Sequence, residues 1–499
     1  MEQYLEQLLR APSAGEWIRF AEILGGILAT IGIGEGVRSL LHWPPEFTRK
    51  LVHISVALLI FFAPKLFIVP LPGIILGITF TLFAYGSIKL GFLKSLHSVS
   101  RGAYGTVYYP VAFLILVIVF WSSHPEIVSL SMLALGIGDA SAAIVGESIK
   151  KPVLFHLTAD RKSIQGSIAM FVTTALALLI GLAYFDGASF STQGLWIAVL
   201  CSSLIATACE ALSSRALDNL TIPLSVGFVL YYLLVRTPMQ DTVQFSVGIV
   251  LGIVIGVTAF YARFLKASGA VATFLLASLV YGVGGWKWTV PILTFFVLSS
   301  LLSKLGKPGK EEIVLVSEKG DTRDVGQVAA NGGVAGILMI AQYIFQNIDF
   351  YPLYLGAIAA ATADTWGTEV GTYFRTKTVS IITMEEVRSG MSGGISIPGI
   401  VGSLLGATVV AASGLPWMES ELLILIAVVS GVIGSVADSI LGATLQSQYR
   451  CTVCGKDTER KIHCSSSTEF VRGIRWMNND LVNWFCAGVG AIVAFLLAR

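Results

Sequence analysis

The sequence predicts an all-α integral membrane fold: a polytopic bundle of about 16 transmembrane helices in two parallel eight-helix repeats. Three observations carry this. Of 499 residues, 55% are hydrophobic and only 13% are charged, against about a quarter charged in soluble domains. Apolar runs of about 15 to 25 residues, the length that crosses a bilayer, recur from end to end. Two Ala/Gly-rich runs, "LALGIGDASAAIVGE" at 133–147 and "AIAAATADTWGTEVG" at 357–371, each seat a carboxylate, Asp139 or Asp364, in an apolar setting. A charge at membrane depth is costly, so it usually marks function.

In chain order the spans are expected at 17–40, 50–63, 67–88, 105–121, 126–148, 164–185, 195–213 and 221–235. The second set is 243–263, 268–284, 288–303, 325–346, 351–374, 395–413, 421–446 and 480–498. The short spans 50–63 and 221–235 suit tilted or re-entrant segments. Eight spans fall in each predicted domain, 1–240 and 241–499, and the second domain carries a Cys-rich loop at 447–479. The opening "MEQYLEQLLRAPSAGEW" reads as an amphipathic lead-in without a basic region, apolar core and cleavage site.

Net charge is +2, which suggests no nucleic-acid role. Six cysteines, three of them in one polar loop, argue against a disulfide framework. Threading the spans alternately puts about 27 of the 33 basic residues on one side. They sit in the loops around Arg49–Lys50, Arg101, Arg161–Lys162, Lys266, Arg323 and the Cys-rich segment. The positive-inside rule makes that side, with its polar clusters, cytoplasmic.

Laying the first eight spans over the last eight aligns more than Asp139 with Asp364. "TRKLVHIS" at Thr48 meets "RFLKASGA" at Arg263, and "SRGAYGTVYYP" at Ser100 meets "TRDVGQVAANGG" at Thr322. "ADRKSIQGSIAMF" at Ala159 meets "VRSGMSGGISIPG" at Val387, and "ACEALSSRALDNLTIP" at Ala208 meets "VADSILGATLQ" at Val436 with the later "NNDLVNW". Each half has an even span count, so the copies are parallel. The alternative is coincidence among Gly/Ala/Ser-rich membrane sequence.

The polar set of the first half is Arg49, Lys50, His53, Arg101, Asp139, Lys162, Ser163, Gly166, Ser167, Glu210, Asp218 and Asn219. Basic loops with hydroxyls and glycine at a helix start suit phosphate. Carboxylates such as Asp139, Glu210 and Asp218 suit Mg²⁺, which takes oxygen ligands and shares them with substrate phosphates. Together they match the needs of phosphoryl transfer, which is mostly positioning and charge neutralisation. The plainer reading of Lys162 is ordinary positive-inside charge, that of Asp139 a structural buried carboxylate, and that of His53 an interfacial histidine.

In the second half the set is Lys266, Ser268, Arg323, Gln327, Asn331, Asp364, Thr365, Glu369, Ser389, Ser392, Asp438, Ser439, Gln446, Asn479, Asp480 and Asn483. So many amides and carboxylates call for a wet polar cavity, since unpaired polar groups are expensive in hydrocarbon. Asp364, Glu369, Asp438 and Asp480 are its candidate Mg²⁺ ligands. Polar glue between helices is the alternative for the serines. Separately, "CTVCGKDTERKIHC" offers Cys451, Cys454, His463 and Cys464, a donor set for structural Zn²⁺ with a gap shorter than in common zinc ribbons. A plain reduced loop is the alternative there.

At these motifs the first half, about 15–235, resembles the dolichol kinase/phytol kinase family of CTP-dependent membrane kinases. The pieces are "RKLVH", "SRGAYGTVYYP", "GIGDASAAIVGE", "RKSIQGS" and "EALSSRALDNLTIP". The resemblance implies CTP and metal binding by Asp139, Lys162, Ser163, Gly166, Ser167, Asp218 and Asn219. Glu147–Ser148 departs from the family pattern of Gly followed by a basic residue, with Lys150 and Lys151 nearby. The second half, about 243–499, resembles the membrane family that includes phytyl-phosphate kinase, through "QVAANGG", "ATADTWGTEVG", "SGGIS", "ADSILGATLQ", the Cys-x-x-Cys loop and "NNDLVN".

The expected function is a bifunctional prenyl-alcohol salvage kinase in the lipid bilayer. It would take an isoprenoid alcohol to its monophosphate and then its diphosphate, using CTP and Mg²⁺. Asp139, Asp218, Lys162, Asp364 and Asp480 are the candidate catalytic groups; whether an Asp acts as base or metal ligand stays open. Arg49, Lys50, His53, Arg101, Ser163, Gly166, Ser167, Asn219, Arg323, Gln327, Asn331, Ser392, Asn479 and Asn483 are expected to bind nucleotide or phosphate. The alternatives are a cytidylyltransferase forming a CDP-lipid, and a transporter using intramembrane carboxylates at a repeat interface.

Overall fold

The computed structural model describes residues 6–90, 104–185, 192–236, 239–305, 322–345, 347–374, 376–418 and 420–498. Arg101, one of the candidate phosphate ligands, lies outside the described residues. By internal contacts the chain divides into two compact units, Met1–Val243 and Gln244–Arg499.

The first unit is built from α1 (Ala14–Leu41), α2 (Pro45–Phe62), α3 (Leu71–Leu90), α4 (Gly105–Phe120) and α5 (Pro125–Ala134). A π-helical turn, Leu135–Asp139, joins α5 to α6 (Ala140–Ser148), and a second π-helical segment, Tyr231–Arg236, lies near the end of the unit. Then come α7 (Ile164–Tyr184), α8 (Thr192–Leu212) and α9 (Asp218–Leu230). Helix α5 is the axis of this unit, buried at every residue from Ile127 to Ala134. Local sequence explains the starts: Ser13 and Glu16 form a capping box on α1, Pro sits in the first turn of α2 and α5, and the Ser163 hydroxyl caps α7.

Helix α10 (Met239–Tyr261) straddles the boundary between the units. The second unit continues with α11 (Ala267–Leu305), α12 (Val325–Ile344), α13 (Tyr351–Tyr373), α14 (Ile397–Ser413), α15 (Leu422–Thr444) and α16 (Asn479–Leu497). Its axis is α13, which packs against α14, α15 and α16 and is buried without interruption from Tyr354 to Ala363. Asp324 and Gln327 cap α12 reciprocally, and Ser396 and Asn478 cap α14 and α16.

Every predicted span coincides with helix. Among the described residues, twelve helices are long and apolar enough to cross a membrane. The other predicted spans differ for visible reasons. Spans 268–284 and 288–303 run together as α11 across a kink at Gly285, whose φ is 61°. Helices α4 and α14 have only 16 and 17 residues. Helix α13 is long enough but carries Asp364, Glu369 and four threonines.

The all-α expectation missed three small antiparallel sheets. β1 (Leu154–Phe155) pairs with β2 (Lys162–Ser163), and β3 (Val379–Ser380) with β4 (Gly394–Ile395). In the Cys-rich segment, β5 (Gln448–Cys451), β6 (Asp457–Thr458), β7 (Ile462–His463) and β8 (Ser466–Arg472) form one sheet in the order β6-β5-β8-β7. Apolar periodicity cannot announce two-residue strands in polar loops.

Candidate functional site

In the first unit the π-helical turn lies between two close approaches. A Cβ on Gly136 would meet the Ala57 methyl of α2 at 2.3 Å, and one on Gly138 would meet Thr174 Oγ1 of α7 at 2.3 Å. Only glycine lets three backbones come this near. The turn widens the helix at its last residue, Asp139, and inserted π-turns gather at functional positions. Asp139 is 6% exposed and forms an ion pair with Lys50 Nζ, itself 3% exposed. Arg49 and His53, on the same stretch of α2, lie within electrostatic reach of Asp139.

A second ion pair stands beside the first. Lys162, the first residue of β2, donates to Glu210 Oε1 at 2.6 Å and lies 3.6 Å from Asp218 Oδ2. Burial opposes its charge, but Glu210 and Asp218 outweigh that and hold the lysine pKa above its ordinary value. Asp139 contributes to the potential at both Lys162 and Glu210, so the two pairs form one charged cluster. Glu210 Oε2 and Ser167 Oγ are buried without a hydrogen-bond partner. Ser163 Oγ accepts the Gly166 N–H at 3.1 Å as the cap of α7. Asn219 donates to Gly105 O at 2.9 Å and holds α4 to α9.

An apolar cleft with about 900 Å³ of empty space, partly open to the surroundings, runs beside this cluster. Helices α1 to α4 line it, from Phe67 and Trp121 to Thr106, His53 and Tyr109. The rings of His53 and Tyr109 lie 5.0 Å apart. His53 Nδ1 and Tyr109 Oη are both buried with no hydrogen-bond partner, although such groups are normally satisfied. The cleft therefore ends on two orphaned polar atoms next to the Lys50–Asp139 pair.

The second unit brings Asp364 of α13 and Asp438 of α15 together as a hydrogen-bonded carboxylate pair. Asp438 Oδ1 is buried without a partner. Two carboxylates in one low-dielectric site need a shared proton or a cation between them, and a hard divalent cation with oxygen ligands fits this donor set. Glu369, one of the candidate ligands, instead accepts from Ser303 Oγ at 2.7 Å and faces Arg323. Asn479 and Asp480 occupy the first turn of α16, behind the Asn478 cap, with Asn483 one turn on.

A second apolar cleft, about 610 Å³, ends on Arg323, Gln327 and Asn331. The Arg323 guanidinium lies over Phe295 and Phe296, 5.2 and 5.8 Å from their centroids. Its backbone is held by Lys266 N–H at 2.9 Å and Phe264 O at 3.0 Å.

Ser392, in the loop just before β4, donates to Glu459 of the Cys-rich sheet, and Gln446 Nε2, just past the end of α15, donates to the same Glu459 Oε1 at 2.9 Å. In that sheet the ligand atoms of Cys451, Cys454, His463 and Cys464 all lie within 4.8 Å of one another. The Cys454 backbone, with His463 and the Val453 N–H, pulls the Cys451 thiol down to about 6 against its burial. Burial and the neighbouring thiols push Cys464 up to about 11.

Two residues escaped the sequence reading. Tyr109 was visible only as part of "GTVYYP", where a tyrosine near a span start looks like an interfacial anchor. Glu459 sits between the two ligand pairs of the Cys-rich loop, and nothing in the sequence tied it to α15.

Residues 250–491 match the family described as integral membrane protein DUF92. Protein PGR of Arabidopsis thaliana is 24% identical over 274 residues, 49% of this chain and 94% of its own length. Phytol kinase of Synechocystis sp. is 31% identical over 211 residues, 42% of this chain and 87% of its own. Chloroplastic protein VTE6 of Arabidopsis thaliana is 26% identical over 246 residues, 47% of this chain and 66% of its own. No solved structure matches the chain. With two polar clusters set at the ends of apolar clefts and relatives of this kind, the chain belongs to the phytol kinase-like family of integral membrane proteins.

Proposed function

We propose that the chain is a two-site prenyl-alcohol kinase, built as two parallel repeats with both sites at the cytoplasmic face. The first unit transfers the γ-phosphoryl group of CTP to an isoprenoid alcohol of the phytol or geranylgeraniol class. The second converts the monophosphate to the diphosphate. One observation carries the reading: an apolar cleft that ends on the orphaned His53 Nδ1 and Tyr109 Oη, beside the Lys50–Asp139 pair. That is the shape of a long apolar tail with one polar end. The Synechocystis relative named phytol kinase supports the same substrate class.

In this reading the tail lies along α1 to α4 and the hydroxyl meets His53 and Tyr109. His53 Nδ1 takes the hydroxyl proton as the new P–O bond forms, and CDP leaves with the electron pair of the broken bond. Asp139, held by Lys50, steadies the resulting imidazolium. Lys162, fixed by Glu210 and Asp218, neutralises the transferring phosphate. Glu210 Oε2 and Asp218 would hold Mg²⁺, which when bound would offset the charge of the phosphates. In the second unit the nucleophile is a phosphate oxygen and needs no base. Arg323, Gln327 and Asn331 close the cleft over the monophosphate, and Asp364 and Asp438 would hold the metal.

The test is purified protein with Mg²⁺, γ-labelled CTP and a panel of prenyl alcohols. The expected products are labelled prenyl phosphate and CDP, with a second label appearing later as diphosphate. Asp139→Ala should abolish the first step and leave the second, measured with supplied monophosphate; Asp364→Ala should do the reverse. Release of pyrophosphate with a CDP-lipid would replace the kinase by a cytidylyltransferase. No nucleotide-dependent product would favour transport.

A further inference from the structure

The Cys-rich segment is a four-stranded sheet with almost no core of its own. Its strands have two to seven residues, and Val453, Ile462 and Val471 are exposed. A sheet this small needs a staple to hold one conformation. The candidate ligands sit where a staple would act. Cys451 ends β5 and Cys454 lies in the β5–β6 turn, closed by the Gly455 N–H on Cys451 O at 2.9 Å. His463 ends β7, and Cys464 opens the β7–β8 turn with φ of 50°. That left-handed residue lets two adjacent side chains converge: Cys464 Sγ lies 3.2 Å from His463 Nδ1, and Cys454 Sγ lies 3.6 Å from it. Tetrahedral Zn²⁺ with Zn–S near 2.3 Å demands ligand separations of about 3.8 Å, close to these.

We propose that Cys451, Cys454, His463 and Cys464 bind one structural Zn²⁺, and that the stapled sheet places Glu459 as a third acid at the Asp364–Asp438 site. Glu459 directly follows β6, the strand whose hairpin carries Cys451 and Cys454. It reaches Ser392 in the loop before β4 and Gln446 just past the end of α15, and its charge acts on Asp438. None of its four ligands lines either cleft, so the zinc would have a structural role. Each thiol that ligates it gives up its proton on binding. The zinc assignment stands by itself; the role of Glu459 rests on Asp364 and Asp438 being a divalent-metal site.

Zinc is read by elemental analysis of the full-length protein purified without chelator or added metal, and by Co²⁺ exchange. One zinc per chain is expected, with the visible spectrum of tetrahedral three-sulfur Co²⁺ after exchange. Cys454→Ser and Cys464→Ser should each lose most of it. Metal-free protein, or zinc retained in both variants, overturns the zinc site. Glu459→Gln should keep its zinc and weaken Mn²⁺ binding about tenfold by electron paramagnetic resonance, a readout that needs no turnover. Unchanged Mn²⁺ affinity in Glu459→Gln, while Asp438→Asn lowers it, overturns the role of Glu459 alone. Absence of Mn²⁺ binding in the wild type removes the carboxylate metal site, and with it that role, and leaves the zinc result untouched.

Discussion

The two units carry the same local devices around opposite electrostatics. In each, a short antiparallel hairpin leads into a helix capped by a serine: Ser163 accepts from Gly166 N at 3.1 Å, and Ser396 from Gly399 N at 3.2 Å. In each, an Ala/Gly-rich helix holds an aspartate close to an acid on a neighbouring helix. The first unit answers its acids with its own cations, Lys50 on Asp139 and Lys162 on Glu210. The second sets Asp364 against Asp438, and Ile395 stands just before the cap where the first unit has Lys162. The first cluster is therefore balanced by its own cations, whereas the second needs a shared proton or a bound cation. Under the proposed function, this contrast would suit an alcohol nucleophile that must lose a proton in the first unit and a phosphate nucleophile that must have its charge screened in the second.

The largest effect should come from unbalancing the first unit. Lys50→Met takes away the ion-pair partner of the buried Asp139, a change that costs about 3–5 kcal/mol. It should lower thermal stability markedly and abolish alcohol phosphorylation. Lys50→Met with Asp139→Leu should recover most of the stability in a detergent melt and none of the activity. Recovery of activity in the double variant would show that the pair serves only packing. The matching change in the second unit should act the other way. Asp438→Asn removes one of two facing acids and lets an amide donate to Asp364, so stability should hold or rise while the second step falls about 100-fold or more. Stabilisation of the wild type by Mg²⁺ should disappear in this variant.

Much of this contrast was legible in the sequence and some was not. A carboxylate inside an apolar run is visible because its cost is local, so Asp139 and Asp364 stand out unaided. Glu210 and Asp438 stand out only once the halves are aligned. What Asp139 pairs with is a matter of tertiary packing: Lys50 is 89 residues away and reads as ordinary loop charge. The family resemblance implies that Asn219 binds nucleotide, and nothing in the sequence shows that its amide also ties α9 to α4. The π-helical turn and the small sheets leave no period to detect, and the reach of Glu459 to Gln446 and Ser392 depends on how a polar loop folds back.

A smaller effect should separate the clefts. Ile60 lines the first cleft well away from His53, so Ile60→Trp shortens it without touching the charged cluster. KM for a twenty-carbon alcohol should rise about tenfold, a loss of about 1.4 kcal/mol, with little change for a short prenol. The second step, assayed with supplied monophosphate, should be unaffected. Equal impairment of short and long alcohols would mean that the tail lies elsewhere.

The smallest effect concerns pH and bears on the contrast most directly. The folded pKa of Lys162 is raised, so its contribution to stability is complete below the unfolded lysine value of about 10.4 and is lost only as pH rises through the higher folded value. Between pH 7 and 10 the melting temperature should therefore not fall on account of Lys162, and above that range it should fall less steeply in Lys162→Met than in the wild type. The second unit has no lysine in that place, so the alkaline loss should appear in alcohol phosphorylation before it appears in monophosphate phosphorylation. If both steps declined together and Lys162→Met left the profile unchanged, the lysine would be a bystander and the balance of the first cluster would rest on Lys50 alone.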